Sequence, residues 1–111
     1  MKLHLNSGEQ IVKDSQANLQ RGLETVGGWL YLTNQRLVFE SHGFNIQNEP
    51  TEIAISSIDS TQPVWTKFLG FLPIFPNSLA VIANGTQYNF VLGNRTQWAS
   101  AIATQSPSLG A

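Results

Sequence analysis

In "GGWLYLTNQRLVFESH", residues 27–42, apolar and polar positions alternate on both sides of a short polar break. Trp29, Tyr31 and Thr33 fall on one face of an extended segment, and Leu30 and Leu32 on the other. After Asn34-Gln35 the alternation resumes, with Leu37 and Phe39 on one face and Arg36, Val38 and Glu40 on the other. This is the period of two that defines a β-strand. Asn suits the tight turn between the runs because it tolerates positive φ. The stretch therefore predicts a hairpin. Large side chains on both faces make it a central one, with Trp29, Leu30, Leu32, Leu37 and Phe39 as core candidates.

The same reading extends along the chain. "TEIAI", residues 51–55, places Ile53 and Ile55 on one face. A strand is expected from about residue 58 to residue 66, with Pro63 marking an edge or a bulge. "SLAVIA" (78–83) and "TQYNFVL" (86–92) flank Asn84-Gly85, the pair that a type I′ hairpin turn demands. Tyr88, Phe90 and Leu92 form one face of the second strand. Helical spacing then takes over: Trp98, Ala101, Ile102 and Gln105 share a stripe, Asn94 is placed to cap it, and Gln97 to close a variant capping box.

Residues 9–26, "EQIVKDSQANLQRGLETV", fit two patterns. An amphipathic helix started by Ser7 is one. A strand with Leu19 and Leu23 on one face is the other, favoured by Gly22, Gly27 and Gly28. The order is thus five to seven short strands and one C-terminal helix, the signature of a sandwich or barrel. Trp98 and Ile102 would plug its open end. A single domain over residues 1–105 and a frayed tail over 106–111 are expected.

Composition narrows the chemistry. The net charge is −1 and the six Lys and Arg are scattered, so no basic stripe for nucleic acid exists. There is no Cys, which removes disulfides, thiolate metal sites and Cys nucleophiles together. The two histidines, His4 and His42, lack metal-ligand spacing, and no metal or cofactor is expected. No Gly-x-Ser-x-Gly elbow is present, and Glu49 and Glu52 read as a solvated face, so catalysis is not expected. The sequons Asn84-Gly85-Thr86 and Asn94-Arg95-Thr96 read as a turn and a helix cap. The N-terminus has no apolar signal region, and residues 63–83 carry Lys67, Asn77 and three prolines, which breaks a membrane span. A soluble, cytoplasmic protein is the expectation.

Two places remain for binding. Arg36 either clamps a phosphate or carboxylate, or closes a structural ion pair, or stacks on an aromatic such as Trp29. "KFLGFLPIFP", residues 67–76, gathers Phe68, Leu69, Phe71, Leu72, Ile74 and Phe75 around Gly70 and Pro73. As a loop it dips into a bilayer with Lys67 near headgroups, or meets a protein partner or a second copy; folded back, it extends the core.

The central hairpin resembles that of GRAM domains, in which Gly-x-Leu-x-Leu-Thr-x-x-Arg-Leu-x-Phe recurs. Here it maps onto Gly28, Leu30, Leu32, Thr33, Arg36, Leu37 and Phe39. "IAISSI", "PNSLAVIANGTQYNFVL" and "NRTQWASAI" resemble the family's later elements in order, so the resemblance covers about residues 9–104. It implies a PH-like fold: a sandwich or partly open barrel of about seven antiparallel strands capped by the helix. It also moves residues 9–26 towards strand. The implied function is a non-catalytic lipid- or protein-binding module, with a peripheral membrane position as one expectation, and the residues read above as its lipid-headgroup, membrane or partner contacts are Arg36, Lys67, Phe68, Phe71, Leu72 and Phe75. The alternative is a protein-interaction or self-assembly domain using 67–76.

Overall fold

The computed structural model describes residues 3–21, 24–42, 50–68 and 72–106, with the backbone alone for 21, 24, 66–68 and 72–76. Seven strands are present: β1 (Ile11–Arg21), β2 (Glu24–Thr33), β3 (Arg36–Ser41), β4 (Thr51–Ala54), β5 (Ile58–Phe68), β6 (Leu72–Ala83) and β7 (Thr86–Val91). A 3-10 turn over Ile55–Ser57 joins β4 to β5, and one helix, α1 (Arg95–Gln105), follows β7. The strands form one antiparallel sheet in the order β4-β3-β2-β1-β7-β6-β5. β4 and β5 are its edges, so the sheet stays open between them.

β1 joins the two halves. It pairs with β2 from Ile11 to Arg21, but with β7 only through Asn18, Leu19 and Gln20. Within 9–26, Ile11–Arg21 and the start of β2 are strand, which overturns the helical alternative, and Gly22 and Leu23 lie outside the described residues. Leu19 and Leu23 are four apart, a spacing that lies on one face in either geometry. Burial decides: Ala17 and Leu19, two apart, both enter the core. Pro63 pairs opposite Leu79 on the edge strand β5, where a missing N–H costs least.

The core collects the inner faces of both halves. Leu30 and Leu32 of β2, Leu37 and Phe39 of β3, Leu79 and Val81 of β6 and Phe90 of β7 are fully buried. Phe39 and Phe90 bring the halves together, with ring centroids 6.0 Å apart. Trp98 and Ile102 of α1 are buried in the same cluster, and Tyr88 packs against it partly exposed. Trp29 does not join them. It lies half-buried on the opposite face of β2, as its alternation with Leu30 requires, and its Nε1 donates to Asp14 Oδ1 at 2.9 Å.

Gly28 is fixed by close approach. A Cβ there would run into the Glu40 carbonyl oxygen and lie 2.7 Å from Phe39 Cζ. Asn84 and Gly85 have φ of 51° and 80°, the conformation a type I′ turn needs. The other expected turn is built differently. Among the described residues Asn34 is not in the positive-φ region. The Thr33 hydroxyl instead accepts the N–H groups of Gln35 and Arg36, both at 3.0 Å, and Asn34 Oδ1 accepts the Gln10 N–H at 2.8 Å. The helix cap also differs. Asn94 sits at φ 56°, not in the extended region from which N-cap side chains reach the helix, and it makes no side-chain cap bond. Ser106 is buried and its N–H bonds Ile102 O at 3.0 Å.

Candidate functional site

The 34–35 turn brings Arg36 against the segment that precedes β1. Its Nε donates to Glu9 Oε2 at 2.8 Å and its Nη2 to Glu9 Oε1 at 3.1 Å. Nη2 also donates to the His4 carbonyl at 2.7 Å, and Nη1 to Glu52 Oε1. Thr33 Oγ1 donates to Glu9 Oε2 at 2.6 Å, and the Asn6 N–H to Glu9 Oε1 at 2.8 Å. The Glu9 side chain has no exposed surface and that of Arg36 keeps 15%. Hydrogen bonding from Arg36, aided by Thr33 and Asn6 and opposed by burial, holds the Glu9 carboxyl at about 2 against an ordinary 4.5. The same bond, working against burial, raises Arg36 further. The guanidinium is thus committed to internal acceptors, and the ion-pair reading of Arg36 displaces both the oxyanion clamp and the stack on Trp29. The Thr-x-x-Arg spacing holds both residues at the turn, while their buried acid lies 27 residues upstream of Arg36, beyond any local pattern.

The described backbone of the apolar segment 67–76, residues 67–68 and 72–76, belongs to β5 and β6, and residues 69–71 lie outside the described residues. Thr66 pairs with Phe75, Lys67 with Pro73 and Phe68 with Leu72, with the register shifted by extra residues on the β6 side. The backbone is therefore strand where a loop was one expectation. Phe71 lies outside the described residues, as do the side chains of Lys67, Phe68, Leu72 and Phe75. Just below, Trp65 is 51% exposed on β5. Arg95 of α1 fixes this base: its Nη1 donates to Val64 O at 2.8 Å and Ser78 O at 3.2 Å, on two residues that pair across the hairpin.

A third feature lay outside the sequence reading of binding sites. Asp14, Trp29, Tyr31 and His42 line an open cavity of about 410 Å³. Register puts them together: Asp14 pairs with Tyr31, and Trp29 with Glu40. The only pointer in the sequence was that the hairpin carries large side chains on both faces. Among the described residues no group of three or more His, Asp or Glu is placed to hold a metal ion. No helix among them is long and apolar enough to cross a membrane.

The GRAM domain profile matches residues 1–93. The chain belongs to the GRAM family. No curated protein matches it in sequence. Among solved structures, this GRAM domain superposes on the C-terminal domain of an unknown protein from Leishmania infantum with a TM-score of 0.72, at 18% identity over 91% of this chain and 87% of that one. It is similar to the Vps36 N-terminal PH domain with a TM-score of 0.64, at 15% identity over 96% and 83%. It is also similar to the Slm1 PH domain solved with phosphoserine, TM-score 0.64, at 13% identity over 87% and 96%. At these identities the likeness establishes the fold, which is PH-like.

Proposed function

We propose that this GRAM domain is a non-catalytic binding module that docks on a membrane surface through the β5–β6 hairpin. The observation that carries the reading is Trp65, a large aromatic side chain 51% exposed at the base of a hairpin whose sequence beyond it is dominated by Phe, Leu and Ile. Tryptophan favours the membrane–water boundary because its ring is apolar and its indole N–H is polar. Lys67, two residues further, supplies a charge at headgroup level.

One structurally similar domain carries anionic ligands: the Slm1 PH domain was solved with phosphoserine and with inositol-4-phosphate. In this chain the described cationic side chains are engaged internally. Arg36 is held by Glu9, Arg95 by two carbonyls, and Lys13 stands 5.4 Å from the centre of the Trp98 ring. Apolar insertion, with a smaller electrostatic contribution, is therefore the basis of attachment. A second reading draws on β5 being an edge strand: the same hairpin then meets a protein partner or a second copy by strand addition.

Co-sedimentation with vesicles, with light scattering on the same sample, tests this. Wild type is expected to sediment as a monomer with zwitterionic vesicles and somewhat more with anionic ones, and Trp65→Asp and Phe71→Asp to stay soluble while folded. A dimer that ignores vesicles and dissociates on Phe71→Asp would overturn the membrane reading in favour of self-assembly.

A further inference from the structure

We propose that the outer face of β1–β3 carries a binding site for an alkylated ammonium group. The alternation that sends Leu30 and Leu32 into the core sends Trp29 and Tyr31 to this face. Asp14 of β1 and Glu40 of β3 flank them through direct register pairs, and His42 lies two residues beyond Glu40 on the same side. Asp14, Trp29, Tyr31 and His42 border a cavity of about 410 Å³, within the range of small-molecule sites, and Glu40 lies beside it and acts on it through its charge.

The lining chemistry selects the ligand. Aromatic faces attract a cation through the ring quadrupole, and most strongly one whose alkyl groups shed water easily. The indole is held in place by its bond to Asp14, so the ring is preorganised. Tyr31 bonds to the Glu40 carboxylate, and the other carboxylate oxygen, Oε1, is buried with no hydrogen-bond partner among the described residues. A buried, unpartnered carboxylate oxygen is costly unless positive charge is brought to it. Burial first, then the charges of Glu40 and Asp14, push the Tyr31 hydroxyl up, which reports a negative local field. That field repels phosphate and attracts a cation. Lys13, the neighbour of Asp14, does not contribute charge here, because it lies over Trp98 on the other side of β1.

The site is separate from the hairpin and does not rest on the membrane reading. The test is a titration of the full chain with choline chloride, following the indole N–H resonances by NMR, with the Trp29 signal assigned by Trp29→Phe. A saturable shift of Trp29 is expected. The neutral isostere 3,3-dimethylbutan-1-ol should bind roughly tenfold more weakly or not at all. Asp14 is exposed, so Asp14→Asn is expected to fold normally and to weaken choline roughly tenfold. Trp65→Asp should leave the titration unchanged, which separates this site from the hairpin. Phosphocholine and phosphatidylcholine vesicles tell a free ligand from a headgroup: an Asp14-dependent preference for phosphatidylcholine over phosphatidylglycerol vesicles places the ammonium on a lipid, and its absence with soluble choline binding retained places it on a free molecule. No shift at Trp29, equal binding of the isostere, or full binding by Asp14→Asn would overturn the proposal.

Discussion

The Glu9 carboxylate lies out of solvent against the Arg36 guanidinium, with Oε2 2.8 Å from Nε although the two residues are 27 positions apart in the chain. The pair fastens the segment before β1 to the first residue of β3, so its ionisation is linked to folding. The folded carboxyl titrates at about 2 and the ordinary value is 4.5. Between those two values the unfolded chain takes up a proton that the folded chain refuses, so this contribution to stability is complete above 4.5 and is lost as the pH falls towards 2. Urea midpoints should drop from neutral pH to about pH 3, and Glu9→Gln should flatten that dependence. An equally steep dependence in the variant would contradict the assignment.

Arg36 also pairs with Glu52, but the two acids differ in environment. Glu52 keeps 54% of its side chain exposed and Glu9 none. Glu9→Gln breaks a buried pair and should cost about 3–5 kcal/mol, whereas Glu52→Gln should cost under about 1 kcal/mol. Chemical denaturation of both variants measures the difference, and similar losses would contradict the burial argument.

The adjacent glycines of β2 are not equivalent. At Gly28 a methyl group meets backbone and a ring, with Ser41 Cα at 2.8 Å, and neither neighbour can retreat. At Gly27 the nearest atom is Asn18 Oδ1 at 3.1 Å, the end of a side chain that can swing away. Gly28→Ala should lower stability by about 3 kcal/mol and Gly27→Ala by about 1 kcal/mol or less. Thermal melts of the two variants decide it.

Trp98 is 1% exposed and closes the core from the helix. Trp98→Ala should cost about 3–5 kcal/mol. Lys13→Met keeps the aliphatic stem over the ring and should cost only about 0.5–1 kcal/mol, the cation–π share. An unchanged melting temperature in Trp98→Ala would contradict the helix's role as plug.

Much of the fold was legible because its signals are local. The alternation in 27–42, the Asn84-Gly85 turn and the Trp98/Ile102 stripe each act within a few residues. Residues 9–26 were ambiguous because a four-residue spacing suits helix and strand alike, and pairing with β2 resolved it. Long-range partners were not legible. Nothing near Arg36 names Glu9, and nothing near Trp29 names Asp14, because each contact depends on how β1 and the segment before it lie against the 27–42 hairpin. The Asn94 cap failed for a related reason: the chain reverses at that residue with positive φ, so the residue type that suits a cap serves the reversal instead.

The claim that the β5–β6 hairpin enters a membrane surface is tested most directly by the fluorescence of Trp65 on vesicles with brominated acyl chains. The difference in emission between wild type and Trp65→Phe isolates Trp65 from Trp29 and buried Trp98. The account predicts a blue-shifted Trp65 emission that brominated chains quench. Emission unchanged by vesicles, or a vesicle-bound protein whose Trp65 stays unquenched, would contradict it.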